Sequence, residues 1–164
     1  MENEIVQTVS QWGLALAVLG GALAVFLGGI GSAVGVGLAG QAGAGVTAEK
    51  PELFGKVLVL EALPATQGIY GFLIGFLVLL NTGLLAGDPT AFTLSQGFLV
   101  FFGCLPAGIS CLFSGMHQGK VSAAGMGMIA KDASTMGKAM VLSAMVETYA
   151  VLGFLISALV VFSL

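Results

Sequence analysis

The sequence predicts an all-α membrane protein with four transmembrane helices, built as two fused helical hairpins of the same orientation. Of its 164 residues, 57% are hydrophobic and 8% charged, and the mean hydropathy of +1.06 lies outside the range of soluble domains. No charged residue occurs between Glu4 and Glu49 or between Glu61 and Asp88. Each stretch exceeds the roughly 20 apolar residues that a spanning helix needs. The class of small soluble domains is thereby excluded.

The first span is expected at about residues 12–46. The start Met1-Glu-Asn-Glu4 lacks the basic region of a secretory signal, so we expect this span to be retained. Small residues recur along it in steps of four and three, which lets helices approach closely in lipid. These residues are Gly13, Ala17, Gly21, Ala24, Gly28, Gly31 and Gly35. The pattern favours a crowded layer of like helices, with small-residue packing inside a monomeric bundle as the alternative.

The second span is expected at about residues 53–84, after a polar link over residues 47–52. Pro64 interrupts it, and a proline at membrane depth loosens the backbone and frees carbonyl groups. Residues Leu63, Thr66, Gln67 and Tyr70 fall on one stripe at helical spacing. The break and a row of oxygen-bearing groups therefore share a face. These groups either bind a ligand or only form hydrogen bonds with the backbone groups that the proline frees.

The third and fourth spans are expected at about residues 93–129 and 134–162, with a short acidic link around Gly87-Asp88-Pro89 before them. Glu147 is the only charged residue from Ala139 to the end of the chain. At about 1.5 Å per residue it lies roughly 20 Å from a helix start near residue 134, close to mid-bilayer. A carboxylate there costs at least about 2.5 kcal/mol unless it is paired, protonated or bound to a cation. Glu147 is thus the first candidate for function, and a purely register-fixing role is the alternative.

An internal repeat divides the chain into a first hairpin, residues 1–88, and a second, residues 89–164. Gly71-Phe-Leu-Ile74 recurs as Gly153-Phe-Leu-Ile156, and Gly55-Lys56 recurs as Gly137-Lys138 at the same offset. The repeat is parallel. At this offset Glu147 falls on Ala65, so one hairpin carries the acid and the other lacks it.

The distribution of charge predicts the orientation in the cell membrane. Basic residues are expected at or beside the two hairpin loops, namely Lys50, Lys56, Lys120, Lys131 and Lys138, while Glu2, Glu4 and Asp88 lie on the other side. The positive-inside rule then places both hairpin loops in the cytoplasm and both termini outside.

Three separated segments carry a resemblance to a known family. They are Leu63-Pro-Ala-Thr-Gln-Gly-Ile-Tyr70, Ser114-Gly-Met-His-Gln-Gly-Lys120 and Met145-Val-Glu-Thr-Tyr-Ala150. Together with the glycine-rich first span and the acid in the second hairpin only, they resemble the rotor-ring proteolipid of bacterial V-type (V/A-type) sodium ATPases. The resemblance covers essentially the whole chain.

The resemblance implies a homo-oligomeric ring in lipid that turns against a stator membrane subunit with an essential arginine and drives, or is driven by, central-stalk subunits. It implies a non-catalytic subunit that carries Na⁺, or alternatively H⁺, and no nucleic-acid partner. In sodium-coupled members the ion ligands fall on Glu147, Leu63, Thr66, Gln67 and Gln118, and Tyr70 matches a tyrosine that orients the glutamate. Proline has no N–H to donate to the carbonyl four residues back, so local reasoning points to the carbonyl of Leu60. The choice of Leu63 depends on the family alone.

Glu61 departs from the family pattern as a second acid in the second span. It lies about 140 to 240° round the helix from Leu63, Thr66 and Gln67, so we expect it to miss the same ion. It is expected to interact near the cytoplasmic end of the span or with a neighbouring subunit, and a second titrating site is the alternative.

Two other functions compete with the rotor. A small stand-alone proton-coupled transporter could use one intramembrane Glu, but such proteins often show inverted repeats and an aromatic-lined cavity. A structural pore-forming oligomer would leave Glu147, Thr66, Gln67 and Gln118 unexplained. Sodium is preferred over the proton because a proton needs only the carboxylate, whereas this chain supplies further oxygens at membrane depth.

Overall fold

The computed structural model describes residues 2–88 and 92–163, with side chains from Gln11 onward. The expected turn at Pro89, the boundary between residues 88 and 89, and the side chains of Glu2 and Glu4 lie outside the described residues. The described chain is helical throughout, with no strand. Its α-helices are α1 (Glu2–Glu49), α2 (Phe54–Ala62), α3 (Thr66–Asn81), α4 (Leu94–Lys131) and α5 (Met136–Phe162).

The four predicted spans are confirmed. Within the described residues, four helical segments are long and apolar enough to cross a membrane, and α2 and α3 together form the second of them. Their bounds differ from the predicted ones at several ends. The first helix begins at Glu2 and the third extends to Lys131. The second ends at Asn81 and not near residue 84, because Gly83 turns the chain with a φ of 72°.

The two interior prolines have different effects on the backbone. At Pro64 the second span changes to a 3₁₀ turn over Leu63–Ala65, which separates α2 from α3. Pro106 leaves α4 continuous. The N–H of Ala107, the residue after it, donates to Ser157 Oγ of α5 at 2.9 Å. Only the first proline therefore creates irregular backbone at membrane depth.

Helices α1 and α4 run parallel and pack against each other along most of their length. A Cβ atom on Gly31 would lie 2.5 Å from the carbonyl oxygen of Cys111, and one on Gly115 would lie 2.6 Å from the carbonyl carbon of Gly31. Glycine is needed at these positions because backbone meets backbone. The small-residue pattern of the first span thus serves contacts within the chain.

Two apolar clusters fill the interior, one toward each end of the bundle. The cluster near the chain termini includes Ala24, Ile74 and Cys104, and the cluster near the hairpin loops includes Leu60, Met126 and Ile129. Since helical residues rise by about 1.5 Å each, residues 63–70 of the second span lie between the two clusters. A layer of polar side chains occupies that level.

The two hairpin loops lie at the same end and are tied together by lysines. Lys50 Nζ donates to the carbonyl of Ala130 at 2.6 Å, and Lys56 Nζ to that of Ala133 at 2.7 Å. The Lys50 bond satisfies one of the last carbonyls of α4, which have no partner within the helix. In the same loop the N–H of Ser134 donates to Asp132, which lowers the pKa of that carboxyl.

Lys120 departs from the expected charge pattern. The sequence predicts it beside a hairpin loop, but it lies inside α4, about three helical turns before Lys131. Its side chain is exposed on the surface of the chain. One basic residue is thus placed within a spanning segment, and this placement needs a separate explanation.

Candidate functional site

The break at Pro64 gathers three oxygen atoms at the start of α3. Thr66 Oγ1 donates to the carbonyl of Leu63 at 3.1 Å and approaches Gln67 Oε1 at 3.3 Å. The backbone N–H of Thr66 donates to the same carbonyl of Leu63. The 3₁₀ turn therefore places a main-chain carbonyl, a hydroxyl and an amide oxygen side by side.

The amide of Gln67 connects this turn to α4. Gln67 and Gln118 are both fully buried, with 0% exposure. Gln67 Nε2 donates to Ser114 Oγ at 3.0 Å and also to Gln118 Oε1. Because both N–H groups are used in this way, the Gln67 oxygen is turned toward Thr66.

Glu147 completes the array from α5. Its Oε1 accepts a hydrogen bond from the Tyr70 hydroxyl at 2.7 Å, and its Oε2 accepts one from Gln118 Nε2 at 3.3 Å. Two donors on two other helices hold the carboxylate at the level of the Pro64 turn. A continuous path of polar contacts thus runs from the Leu63 carbonyl to Glu147.

The site is accessible from one side of the bundle, through a shallow groove. Glu147 is half-buried and lies at the wall of a shallow groove of about 360 Å³, whose other lining residues are Ala144, Thr148, Val151 and Leu152. Nearby side chains on α5 are strongly exposed, among them Tyr149 at 69% and Leu152 at 61%. In a membrane this surface faces lipid or a neighbouring subunit. The carboxylate can be reached from there without opening the bundle.

The chemistry of the array suits a small hard cation. Within the described residues, no group of three or more His, Cys, Asp or Glu side chains converges, so the sites typical of zinc or of carboxylate-rich divalent metals are absent there. Carbonyl, hydroxyl and amide oxygens with a single carboxylate can replace the hydration shell of a monovalent cation and neutralise its charge.

All residues expected at the ion site are thus brought together. Gln67 and Gln118 are buried and Leu63 and Thr66 half-buried beside them, and Tyr70 contacts Glu147 directly. Glu61 lies apart from them. Its carboxylate packs against Gly40 of α1, where a Cβ atom would meet Glu61 Oε1 at 2.7 Å.

Two serines that sequence reasoning did not select also support the site. Ser114 accepts from Gln67 and donates to the carbonyl of Val146 at 3.0 Å, so it joins α3, α4 and α5. Ser32 Oγ on α1 accepts the backbone N–H of Gly68 at 2.7 Å. Ser114 precedes Gln118 by one helical turn and could have been recognised by its i, i+4 spacing. Ser32 lies on a different helix, and no local spacing connects it with Gly68.

Comparison with known proteins gives a family and several relatives. The family model that describes the C subunit of ATP synthase matches twice, at residues 19–78 and 101–160. Both ends of the two matches are 82 residues apart, which is the offset of the internal repeat.

Three relatives are named as subunits of V-type ATPases or of an A-type ATP synthase. The chain is 46% identical over 149 residues to the K subunit of the V-type sodium ATPase of Enterococcus hirae, covering 91% of the chain and 92% of that protein. It is 42% identical over 146 residues to the K subunit of the A-type ATP synthase of Methanocaldococcus jannaschii, covering 89% of the chain and 61% of that protein. It is 34% identical over 108 residues to the c' subunit of the V-type proton ATPase of Candida glabrata, covering 65% of the chain and 63% of that protein.

Proposed function

The chain belongs to the family of the ATP synthase C subunit, and on that premise we propose that it is a rotor-ring subunit of a V-type ATPase that carries Na⁺ at Glu147. The observation that supports this most directly is the path of polar contacts from the Leu63 carbonyl to the Glu147 carboxylate. Two relatives that match about nine tenths of the chain are named as K subunits, one of a V-type sodium ATPase and one of an A-type ATP synthase.

In this proposal the carbonyl of Leu63, the Thr66 hydroxyl and the oxygens of Gln67, Gln118 and Glu147 bind the ion. The first three oxygens are already adjacent, and Gln118 lies between Gln67 and the carboxylate. Tyr70 holds Glu147 in place. Five oxygen atoms and one negative charge give a loaded site with no net charge, which can face lipid at low cost.

The empty site behaves differently. A carboxylate without its cation is costly against lipid, so an empty subunit is held at the stator, where an arginine of another subunit would attract Glu147. Loading from one side of the membrane and release to the other then couple ion flow to rotation. The chain itself acts as a non-catalytic carrier, with ATP chemistry in other subunits.

The partners of the proposed function are identical subunits in the ring, the stator membrane subunit, the central-stalk subunits and lipid. The two hairpins, residues 1–88 and 89–164, are the repeated units, and both hairpin loops are proposed to face the cytoplasm, with both termini outside. Membrane extraction should yield a homo-oligomeric ring that copurifies with ATPase subunits. A monomer or dimer without these partners would favour the stand-alone transporter.

The ion can be identified by carbodiimide labelling, because this reagent attacks protonated carboxyl groups. At fixed pH, Na⁺ should slow the labelling of Glu147, since a bound cation requires the deprotonated form. Gln118→Ala should raise the Na⁺ concentration needed for protection, and K⁺ at equal ionic strength serves as the control. A labelling rate independent of Na⁺ over a wide concentration range would reject the sodium site and leave a proton-driven rotor.

A further inference from the structure

Three acidic or basic side chains well inside the spanning segments are left without a partner by the fold. Within the described residues, Glu61, His117 and Lys120 make no hydrogen bond or ion pair. His117 and Lys120 are exposed, and Glu61 is half-buried. Charged groups at membrane depth are costly when unpaired. A partner outside the chain is therefore expected for them.

Glu61 lies in a groove between α1 and α2, here termed the acidic groove, of about 490 Å³. Its lining residues are Gly40, Gly43, Ala44, Thr47, Ala48, Phe54, Val57 and Glu61. Apart from the carboxylate, Thr47 supplies the only polar side chain among these residues. Small residues on α1 leave room for a long side chain to enter.

The acidic groove and the two basic side chains lie on opposite edges of the chain. Gly31 of α1 contacts α4, and Gly40 is about 180° round the helix from it. Gly115 and Gly119 of α4 contact α1, and His117 is about 160 to 200° from them. Lys120 lies about 100 to 140° from the same glycines. His117 and Lys120 are here termed the basic edge.

The two edges are at similar depth in the bundle. Gly119 packs against Gly35, and a Cβ atom on Gly43 would lie 3.0 Å from Met126 Sδ. Lys120 is therefore within about one helical turn of the level of Gly40, and His117 lies about one turn farther from the loops. When copies pack side by side, α4 of one meets α1 of the next, and the acidic groove receives the basic edge.

We propose that Glu61 of one copy pairs with the basic edge of the neighbouring copy, His117 and Lys120, and that this contact fastens adjacent subunits of the ring. The proposal deepens the proposed function, because it requires a ring of identical subunits. The ammonium of Lys120 and an N–H of His117 both donate to the carboxylate. Each otherwise unpaired group thereby obtains a partner of complementary charge or hydrogen-bonding capacity.

Cysteine cross-linking tests the contact in whole membranes. In a background with Cys104→Ala and Cys111→Ala, the chain carrying Glu61→Cys and Lys120→Cys together should give a ladder of disulfide-linked multimers on mild oxidation, and so should Glu61→Cys with His117→Cys. Each single-cysteine variant should give no ladder. A matched pair, Glu61→Cys with Val141→Cys, should also give none, because Val141 is 62% exposed on α5, away from the basic edge.

Ring integrity is measured on the same samples by native mass spectrometry, so that two failures can be separated. Intact rings without cross-links from either pair would overturn the Glu61 contact and leave the rotor function standing. Absence of rings from the unaltered chain, as well as from the cysteine-free background, would overturn the rotor function itself. A disulfide confined to single chains would place the two edges together within one copy and would also overturn the proposal.

Charge exchange provides a second measurement that does not need cysteines. Glu61→Lys should lower the temperature at which rings dissociate in detergent, and Lys120→Glu should do the same. The combined variant should recover most of the loss, because the pair is restored with reversed sign. Additive losses in the combined variant would contradict a direct pair.

Discussion

The two hairpins share one architecture but divide the residues of the proposed ion site between them. At the repeat offset, Glu147 falls on Ala65, and Thr148 falls on Thr66. Thr148 donates to the carbonyl of Met145 at 2.8 Å, as Thr66 does to that of Leu63. The first hairpin supplies the proline turn and Gln67, and the second supplies Gln118 and the carboxylate. The site therefore depends on both halves, and neither hairpin alone could build it.

A second pair of equivalent positions differs just as clearly. One turn toward the loops, Ser143 of α5 and Ser122 of α4 are buried and share a hydrogen bond of 2.7 Å. Their counterparts at the repeat offset are Glu61 and Gly40. The second hairpin satisfies its polar pair internally, whereas the first presents an acid at an open groove. A polar pair that is hydrogen-bonded within the chain stabilises the fold, whereas an unpaired acid at a groove is available to a neighbouring subunit.

The largest contrast is expected between the two acids. Glu147→Gln should abolish coupled ion transport in reconstituted vesicles, because it removes the charge that neutralises the ion. Glu61→Gln should leave most of the transport, because Glu61 lies outside the array of oxygen ligands. Equal loss from both substitutions would mean that the transported ion uses a pair of carboxylates.

A second contrast concerns glycines on opposite sides of α1. Gly31→Leu should prevent correct folding, since even a Cβ atom would lie 2.5 Å from the backbone of α4, and overpacking of this kind costs about 1–3 kcal/mol or more. Gly29→Leu should leave the chain folded but reduce rings, because no atom of the described residues lies within 4 Å of a Cβ atom there. Protease resistance reports folding, and native mass spectrometry reports rings. Normal rings from Gly29→Leu would remove this face of α1 from the interface.

Much of the fold followed from the sequence because charge-free length and spacing are local properties. The stripe of Leu63, Thr66 and Gln67 was likewise local and lies together in the structure. The contact between Gln118 and Glu147 joins two helices, and only the family resemblance implied it. Local reasoning pointed to the carbonyl of Leu60, because it assumed a simple missing helical bond, whereas the 3₁₀ turn at Pro64 places the carbonyl of Leu63 beside Thr66.

The glycine pattern was only partly interpreted from the sequence. Gly28 and Gly31 were expected in a crowded layer of like helices, and in the structure they contact Gln67 and Cys111 of the same chain. Periodicity shows that a helix face is closely packed, and it does not show which helix packs there. Lys120 presents the same difficulty, since sequence position alone placed it near a loop.

A smaller effect is expected at Ser114. Ser114→Ala removes the acceptor that orients the Gln67 amide, and loss of one such bond costs about 1 kcal/mol, or about fivefold in affinity. The Na⁺ concentration that half-protects Glu147 from carbodiimide should rise by this factor. Labelling without Na⁺ should be unchanged. Ser110→Ala is the control, because the Ser110 hydroxyl donates to the carbonyl of Ala107 on its own helix. An equal shift in that variant would assign the effect to general packing.

The smallest effect is expected at the serine pair of the second hairpin. Ser143→Ala leaves Ser122 buried without its partner, and hydrogen bonds between membrane helices contribute about 0.6 kcal/mol on average, up to about 1.7. The single variant should therefore lose about 0.5–1.5 kcal/mol in the free energy of unfolding by detergent titration. The double variant with Ser122→Ala should lose less, because no unsatisfied hydroxyl remains. Equal losses in the single and double variants would show that the serine pair acts through packing alone. The contrast between a hydrogen-bonded pair in the second hairpin and the unpaired Glu61 in the first would then have no energetic basis.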